Sequence, residues 1–152
     1  MADRTAAYPA YNYLVDIGGR DPQSPLGGFS DVSGLSFEIH ISEYRAGNKL
    51  SSVVDKIPGS AKNNDVTLKR GLVNSQDLWS WINDTRTKGV AAKRDVTITL
   101  RDEANNPVQI FKLLRAAPMK YTGPTLAGKG GGDVAMEELV LSAEDLVIAP
   151  AS

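Results

Sequence analysis

The chain has 152 residues, of which 41% are apolar and 23% charged, as expected for one globular domain. Its 17 basic and 18 acidic residues nearly cancel, which excludes the basic character that drives nucleic-acid binding. The lack of cysteine excludes disulfides and thiolate chemistry, and the single histidine excludes a site with two imidazole ligands.

The sequence contains no run of the ~20 apolar residues that a membrane-spanning helix needs. Its first nine residues lack the basic and apolar regions of a secretory signal. We therefore expect no direct membrane anchor and a protein made in the cytoplasm.

The N-terminal third has the period of β-strands. Residues 11–17 are a short aromatic and β-branched run that ends at a Gly-Gly turn signal. The stretch after residue 34 alternates strictly, which predicts a half-buried strand with one wet face. Its apolar face comprises Leu35, Phe37, Ile39 and Ile41. The alternation breaks at Glu43 and Tyr44, where we expect a bulge or bend.

Residues 46–64 are too long and too polar for a tight turn, and we interpret them as an extended loop. Pro58 and Gly59 would turn this loop back toward the next strand. Four of its apolar residues cannot form a core by themselves, so the loop either folds back on its own barrel or contacts an adjacent subunit. We favour the contact with a subunit for Leu50, Val53, Val54 and Ile57.

The central part of the chain predicts strands around one helix. Strand alternation covers residues 65–70 and 93–101, and residues 102–107 join the second of these strands to an apolar strand at 108–114. A helical period predicts about three turns, with Asn74 as the N-cap and Gly89 as the stop. The buried face of this helix is predicted to contain Leu78, Trp81, Ile82 and Thr85.

Alternation at residues 138–143 and an apolar run at 146–148 predict the last strands. One short helix cannot cover both faces of a sheet, so the sheet covers itself. The expected fold is mainly β: an antiparallel barrel or sandwich with one flanking helix and a long inter-subunit loop. It forms a single domain over residues 1–152, with terminal arms at 1–10 and 149–152.

Two sequence patterns resemble a phosphate-binding loop and a catalytic triad, but neither has the residues or the spacing that such a site needs. Residues 123–129 match the start of a phosphate-binding loop, yet Gly130 stands where a Ser or Thr should hold magnesium. Glu38, His40 and Ser42 share a strand face, but their spacing of ~7 Å exceeds the hydrogen-bond reach of a catalytic triad. The adjacent carboxylates of the chain point to opposite strand faces. We therefore predict no enzyme, and no catalytic, cofactor-binding or metal-binding residues.

Charge is distributed unevenly along the chain. Residues 43–70 contain six basic and three acidic side chains, whereas residues 133–145 contain five acidic side chains and no basic one. Opposed patches on one chain suit a head-to-tail contact between copies, which can close into a ring. The predicted contact between subunits pairs Lys69 and Arg70 with Glu137 and Glu138.

Seven motifs occur in order along the chain: 29–35 (FSDVSGL), 43–47 (EYRAG), 56–59 (KIPG), 66–71 (VTLKRG), 78–82 (LWSWI), 95–100 (DVTITL) and 137–141 (EELVL). Together they resemble the inner tail-tube proteins of contractile phage tails and of bacterial contractile injection systems. The resemblance covers nearly the whole chain.

The resemblance implies a structural protein that forms homo-hexameric rings stacked into a hollow tube. The implied partners are a contractile sheath, baseplate or spike proteins, a cap, and cargo or DNA in the lumen. The implied location is a phage tail-like particle that is assembled in the bacterial cytoplasm and can be released from the cell. Two other classes remain as alternatives: a small β-barrel that binds a ligand, and a tail-associated glycan hydrolase.

Overall fold

The computed structural model describes residues 6–17, 29–48, 50, 52–71, 76–130 and 134–150. Within these residues the chain forms nine strands and one α-helix. The elements are β1 (Tyr13–Ile17), β2 (Asp31–Ser33), β3 (Phe37–Tyr44), β4 (Asp55–Asn63), β5 (Val66–Gly71), α1 (Gln76–Lys88), β6 (Arg94–Arg101), β7 (Pro107–Thr122), β8 (Met136–Ser142) and β9 (Asp145–Pro150). A 3₁₀ turn, Gly89–Ala92, follows the helix.

Seven strands form one antiparallel sheet, and the long strand β7 belongs to both of its halves. The strand order is β1-β6-β7-β8-β5-β2, and β9 also pairs with β7. The first half of β7 pairs with β6 and β9, whereas its second half, from Ala117 onward, pairs with β8. The switch follows Arg115, which has a positive φ of 54°. One strand therefore joins the two halves.

Side chains from both halves of the sheet pack into one core with the helix. The cluster comprises Val15, Val66, Leu68, Leu78, Trp81, Val96, Ile98, Leu113, Ala116, Leu139, Leu141 and Leu146. The indole N–H of Trp81 donates a hydrogen bond of 2.9 Å to the carbonyl of Ala92, which satisfies a polar group that burial would otherwise leave unpaired. The mainly β fold with a self-covering sheet and one helix is thus confirmed.

The helix and the β6–β7 hairpin match their sequence signals. Leu78 and Trp81 are buried, Trp79 is exposed, and the helix gives way to Gly89 at a positive φ of 61°, a conformation that favours glycine. Asn74 lies outside the described residues. In the β6–β7 connection, the Asp102 carboxylate accepts hydrogen bonds from the backbone N–H groups of residues 104 and 106. This contact stabilises the predicted turn.

Two predicted boundaries are wrong. The second half of the segment predicted as an extended loop, residues 46–64, is largely strand β4, and Pro58 and Gly59 lie inside that strand rather than at a turn. Residues 149 and 150 belong to β9 and pair with β7 rather than forming a terminal arm. In both places pairing with another strand organises a segment whose own sequence carries little strand signal.

Strands β3 and β4 form a separate two-stranded sheet. We call this element the hairpin. Its two strands pair with each other from Phe37 opposite Asn63 to Tyr44 opposite Asp55. All eight residues of β3 are exposed, so the prediction of a half-buried strand is wrong within one chain.

Candidate assembly surface

One face of the hairpin is apolar. Since side chains alternate along a strand, Phe37, Ile39 and Ile41 project from the same side of β3, as the sequence predicted. In this chain they are 49%, 49% and 44% exposed. Ala61 and Pro58 lie opposite Ile39 and Ile41 on β4. The hairpin thus carries an apolar surface that the described parts of its own chain leave about half exposed.

The hairpin also carries opposite charges across its strands. Glu38 lies opposite Lys62, and Glu43 lies opposite Lys56. Cross-strand pairs of this kind contribute roughly 0.2–1 kcal/mol each. Opposite charges at these positions favour this register of the two strands, and the register decides which side chains share the apolar face.

The hairpin has an irregularity, but not where the sequence predicted one. The register shifts between Ile39 and Ile41, where β4 carries an extra residue. A Cβ on Gly59 would lie 3.3 Å from the His40 carbonyl oxygen, so the strands are closely apposed there. The pairing of Glu43 and Tyr44 is regular. Tyr44 consequently stays on the face of His40 rather than turning to the apolar side.

The four apolar residues predicted to contact another subunit lie in and beside the connection between β3 and β4. Leu50 and Val53 are exposed in this connection, Val54 is half-buried, and Ile57 is exposed on β4 opposite Ser42. Leu50, Val53 and Ile57 therefore do not join the core of their own chain. Their contact with a neighbouring subunit stays a prediction.

The four charged residues predicted to pair between subunits instead pair within the chain. Strands β5 and β8 are neighbours, with Lys69 opposite Glu138 and Arg70 opposite Glu137. Lys69 and Glu138 are surface residues 3.9 Å apart. Arg70 and Glu137 are buried, so neither can present its charge at a subunit surface. The prediction is wrong for this buried pair.

Arg70 and Glu137 belong to a buried polar cluster at one end of the core. The Arg70 Nε donates to Glu137 Oε1 at 2.5 Å, and the Tyr121 hydroxyl donates to Glu137 Oε2 at 2.8 Å. The guanidinium also lies 5.2 Å from the centre of the Phe29 ring, a cation–π distance. The Phe29 carbonyl in turn accepts a hydrogen bond from the Tyr13 hydroxyl.

A sequence signal for this cluster existed. The alternation that places Leu68 inward also places Arg70 inward, and the alternation that places Leu139 inward does the same for Glu137. Two adjacent residues of the same charge therefore point to opposite faces of their strand. Arg70 and Glu137 lie in the core, whereas their neighbours Lys69 and Glu138 lie at the surface. Extending the two alternations by one step would have identified the pair.

The glycine-rich segment at residues 123–129 does not form a phosphate-binding loop. It lies in the connection from β7 to β8, and the next described element is a strand rather than the helix whose N-terminus such a loop needs. Part of this connection borders an open groove of about 860 Å³, together with Asp31, Lys69 and Glu138. Its wall therefore carries both signs of charge.

The described parts of the chain contain neither a metal-binding cluster nor a helix that could span a membrane. Across them, no group of three or more His, Asp or Glu side chains is arranged to hold a metal ion. The helices found there are too short or too polar to cross a bilayer. His40 lies exposed on the hairpin.

These features define a class of protein: an antiparallel β-sheet fold that extends a separate hairpin with an uncovered apolar face. A family model described as the T4-like virus tail tube protein gp19 matches residues 9–147. The chain belongs to this family and is a tail tube protein, a structural tube component of contractile injection systems. The family resemblance seen in the sequence is confirmed.

Solved structures agree with this assignment. A chain of the sheath–tube complex of the extracellular contractile injection system PVC, in its extended state, is 28% identical with a TM-score of 0.80, over 97% of this chain and 94% of that one. A chain from the tube-terminating cap of the anti-feeding prophage is 25% identical with a TM-score of 0.82, over 99% and 96% of the two chains.

A more distant structure shares the fold alone. Hcp1 from Flavobacterium johnsoniae is 12% identical with a TM-score of 0.53, over 93% of this chain and 97% of that one. Comparison with curated protein sequences finds no match. The family is one of tail tube proteins, and the PVC and anti-feeding prophage neighbours come from a sheath–tube complex and from a tube-terminating cap.

Proposed function

We propose that this tube protein assembles by laying the apolar face of its hairpin on a neighbouring copy, and that rings of six copies stack to form the tube. The observation that carries the proposal is the exposed row formed by Phe37, Ile39 and Ile41. An isolated two-stranded hairpin is at best marginally stable in water. A second copy is the natural cover, because a tube repeats the same contact at every subunit.

The energy available from this contact is substantial. Complete burial of one such side chain is worth about 1.5–3 kcal/mol. Since each of the three is about half exposed, covering all three contributes roughly 2–4 kcal/mol. The exposed Leu50 and Val53 would extend this contact along the connection, and Ile57, opposite Ser42, would add a contact on the other face of the hairpin.

Ring closure is proposed to use the edges of the main sheet. Strands β1, β2 and β9 each pair with one strand in the described portion of the chain. An unpaired edge offers a row of backbone donors and acceptors to another strand. Pairing of such edges between copies would close the ring without any special side chain.

The similarity to chains of a sheath–tube complex and of a tube-terminating cap supports a proposal for the wider assembly. We propose that a contractile sheath surrounds the tube, that baseplate or spike proteins and a cap bound its ends, and that cargo or DNA passes through its lumen. The protein acts as a conduit and not as an enzyme. Assembly takes place in the bacterial cytoplasm, and the finished particle can be released.

The test compares apolar-to-polar variants of the hairpin with a matched variant elsewhere. The double variant Ile39→Ser, Ile41→Ser and the triple variant Val53→Ser, Val54→Ser, Ile57→Ser should unfold thermally close to the parent chain. Both should fail to give long tubes by electron microscopy. Val90→Ser, an exposed apolar residue of the 3₁₀ turn, should leave tubes unchanged.

Tubes of normal length from the double variant would refute the role of the apolar face, and normal tubes from the triple variant would refute that of the connection. A large loss of thermal stability would instead show that these side chains support their own subunit. Cross-linking at assembly concentration tests the ring independently. A cross-linked series that ends at six supports the hexamer, and one that ends at another number contradicts it.

A further inference from the structure

The base of the hairpin is held from one side by a close backbone contact. Gly34, just before β3, has a positive φ of 88°, and a Cβ at this position would lie 2.2 Å from the Asp65 carbonyl oxygen. No side chain fits there. The Asn64 side chain and backbone donate hydrogen bonds of 2.6 and 3.1 Å to the hydroxyl and carbonyl of Ser36. The two ends of the hairpin are thus tied together.

The base is held from the other side by the turn between β8 and β9. The Asn63 side-chain amide donates a hydrogen bond of 2.8 Å to the Glu144 carbonyl. Lys93 and Arg115 reach the Glu144 carboxylate at 2.6 and 3.0 Å, and the Glu144 N–H donates to the Leu114 carbonyl at 3.0 Å. Contacts from two other segments, at residue 93 and at residues 114 and 115, therefore fix the residue on which the hairpin rests.

We propose that these contacts form a clamp that sets the direction in which the hairpin leaves the main sheet, and that this direction aligns each subunit with its neighbour. The clamp consists of Gly34 against Asp65, and Asn63 on Glu144. The inference rests on the proposed function, because it assumes that the hairpin contacts a second copy. It goes further by identifying positioning residues that lie outside the contact face.

Geometry explains why the base matters so much. The eight residues of β3 span about 27 Å at ~3.4 Å per residue. A rotation of about 10° at the base moves the far end by about 5 Å, which is roughly one strand spacing. Since the two strands pair chiefly with each other, little else in the described chain resists such a rotation. A small change at the clamp would thus misplace the whole apolar face.

The experiment measures direction and assembly separately. Spin labels on Ser42→Cys in the hairpin and Ser80→Cys on α1 report one distance, and the chain contributes no other cysteine. Labelled chains are diluted into unlabelled ones, so that only distances within one subunit are read. The variants are Gly34→Ala and Asn63→Ala. Gly47→Ala is the control, because a Cβ there meets nothing within 4 Å.

The parent chain and the control should give one narrow distance distribution and normal tubes. Each clamp variant should shift or broaden the distribution by about 5 Å, one strand spacing. The subunit concentration needed for tubes should rise about tenfold, which corresponds to ~1.4 kcal/mol. Asn63→Ala removes only a surface hydrogen bond, so it keeps the test valid if Gly34→Ala does not fold.

Three results would overturn the clamp. The first is a distance between the two labels that Asn63→Ala leaves unchanged. The second is a clamp variant that changes this distance and still forms normal tubes. The third is a clamp variant that loses its tubes although the distance is unchanged. Failure of the proposed function looks different, since Ile39→Ser, Ile41→Ser would then assemble normally while its distance stays that of the parent chain.

Discussion

The buried pair of Arg70 and Glu137 allows a quantitative prediction. Their residues are only 3% and 2% exposed, and the Glu137 carboxylate accepts hydrogen bonds from both Arg70 and Tyr121. The change Glu137→Leu leaves the guanidinium buried without its carboxylate. Removing one partner of a buried ion pair costs about 3–5 kcal/mol, a large part of the ~5–15 kcal/mol that stabilises a typical domain.

For a chain of this length, each kcal/mol shifts the melting temperature by about 2–4 °C. Glu137→Leu should therefore lower it by roughly 6–20 °C, measured by circular dichroism on unassembled protein. The double variant Arg70→Met, Glu137→Leu should recover most of this loss, because a packed apolar pair often replaces a buried ion pair without cost. Recovery of the melting temperature would show that the loss in Glu137→Leu comes from breaking the ion pair and not from a packing defect.

The neighbouring surface pair provides a matched control. Glu138→Leu makes the same chemical change one residue along the same strand, where the pair with Lys69 is solvent-exposed at 3.9 Å. Such pairs contribute at most ~1 kcal/mol, so the melting temperature should fall by no more than about 4 °C. Equal losses at residues 137 and 138, or no recovery in the double variant, would refute this reasoning.

Two further predictions concern pH. The hydrogen bond from Lys93 holds the pKa of Glu144 below its ordinary value of 4.5, so the stability from this carboxylate is complete above that value and is lost as the pH falls through the folded pKa. Glu144→Gln should flatten the acid side of a melting-temperature profile, and an unchanged acid slope would contradict this. Burial, and secondarily the charge of Asp31, raises the pKa of Tyr13 above 10.0, so its stability is complete below 10.0 and is lost as the pH rises through the folded pKa. Tyr13→Phe should remove this alkaline loss, and a profile that still falls as in the parent chain would show that another group causes it.

The elements that could be predicted from the sequence are those with complete local signals. In β6 the alternation of apolar and polar residues and the following Asx turn lie within a dozen residues. In α1 the apolar period and the glycine stop do so as well. The local sequence is enough to predict β6 and α1, because the residues they contact are close in sequence or belong to the common core.

Strand β4 could not be predicted, because its sequence disfavours a strand. It contains Lys, Asp, Gly and Ser and, at position 58, a proline that cannot donate a hydrogen bond to a neighbouring strand. Pairing with β3 organises it nevertheless, and a two-stranded sheet tolerates Pro58 since each strand has a free edge. The pairing of β4 with β3 is a contact between two separate segments, and the amino-acid composition of β4 does not predict it.

The alternation in β3 correctly predicts a strand with one apolar face, but it does not predict that this face is exposed on its own chain. Period-two alternation shows that one face of a strand is apolar, and it says nothing about which chain covers that face. Because the main sheet fills its own core without β3, the apolar face of the hairpin is left over. In a protein whose family forms tubes, a strand with a strong apolar period and no cover in its own chain is best explained by contact with the next subunit. The disagreement between pattern and burial therefore supports the assembly surface proposed above.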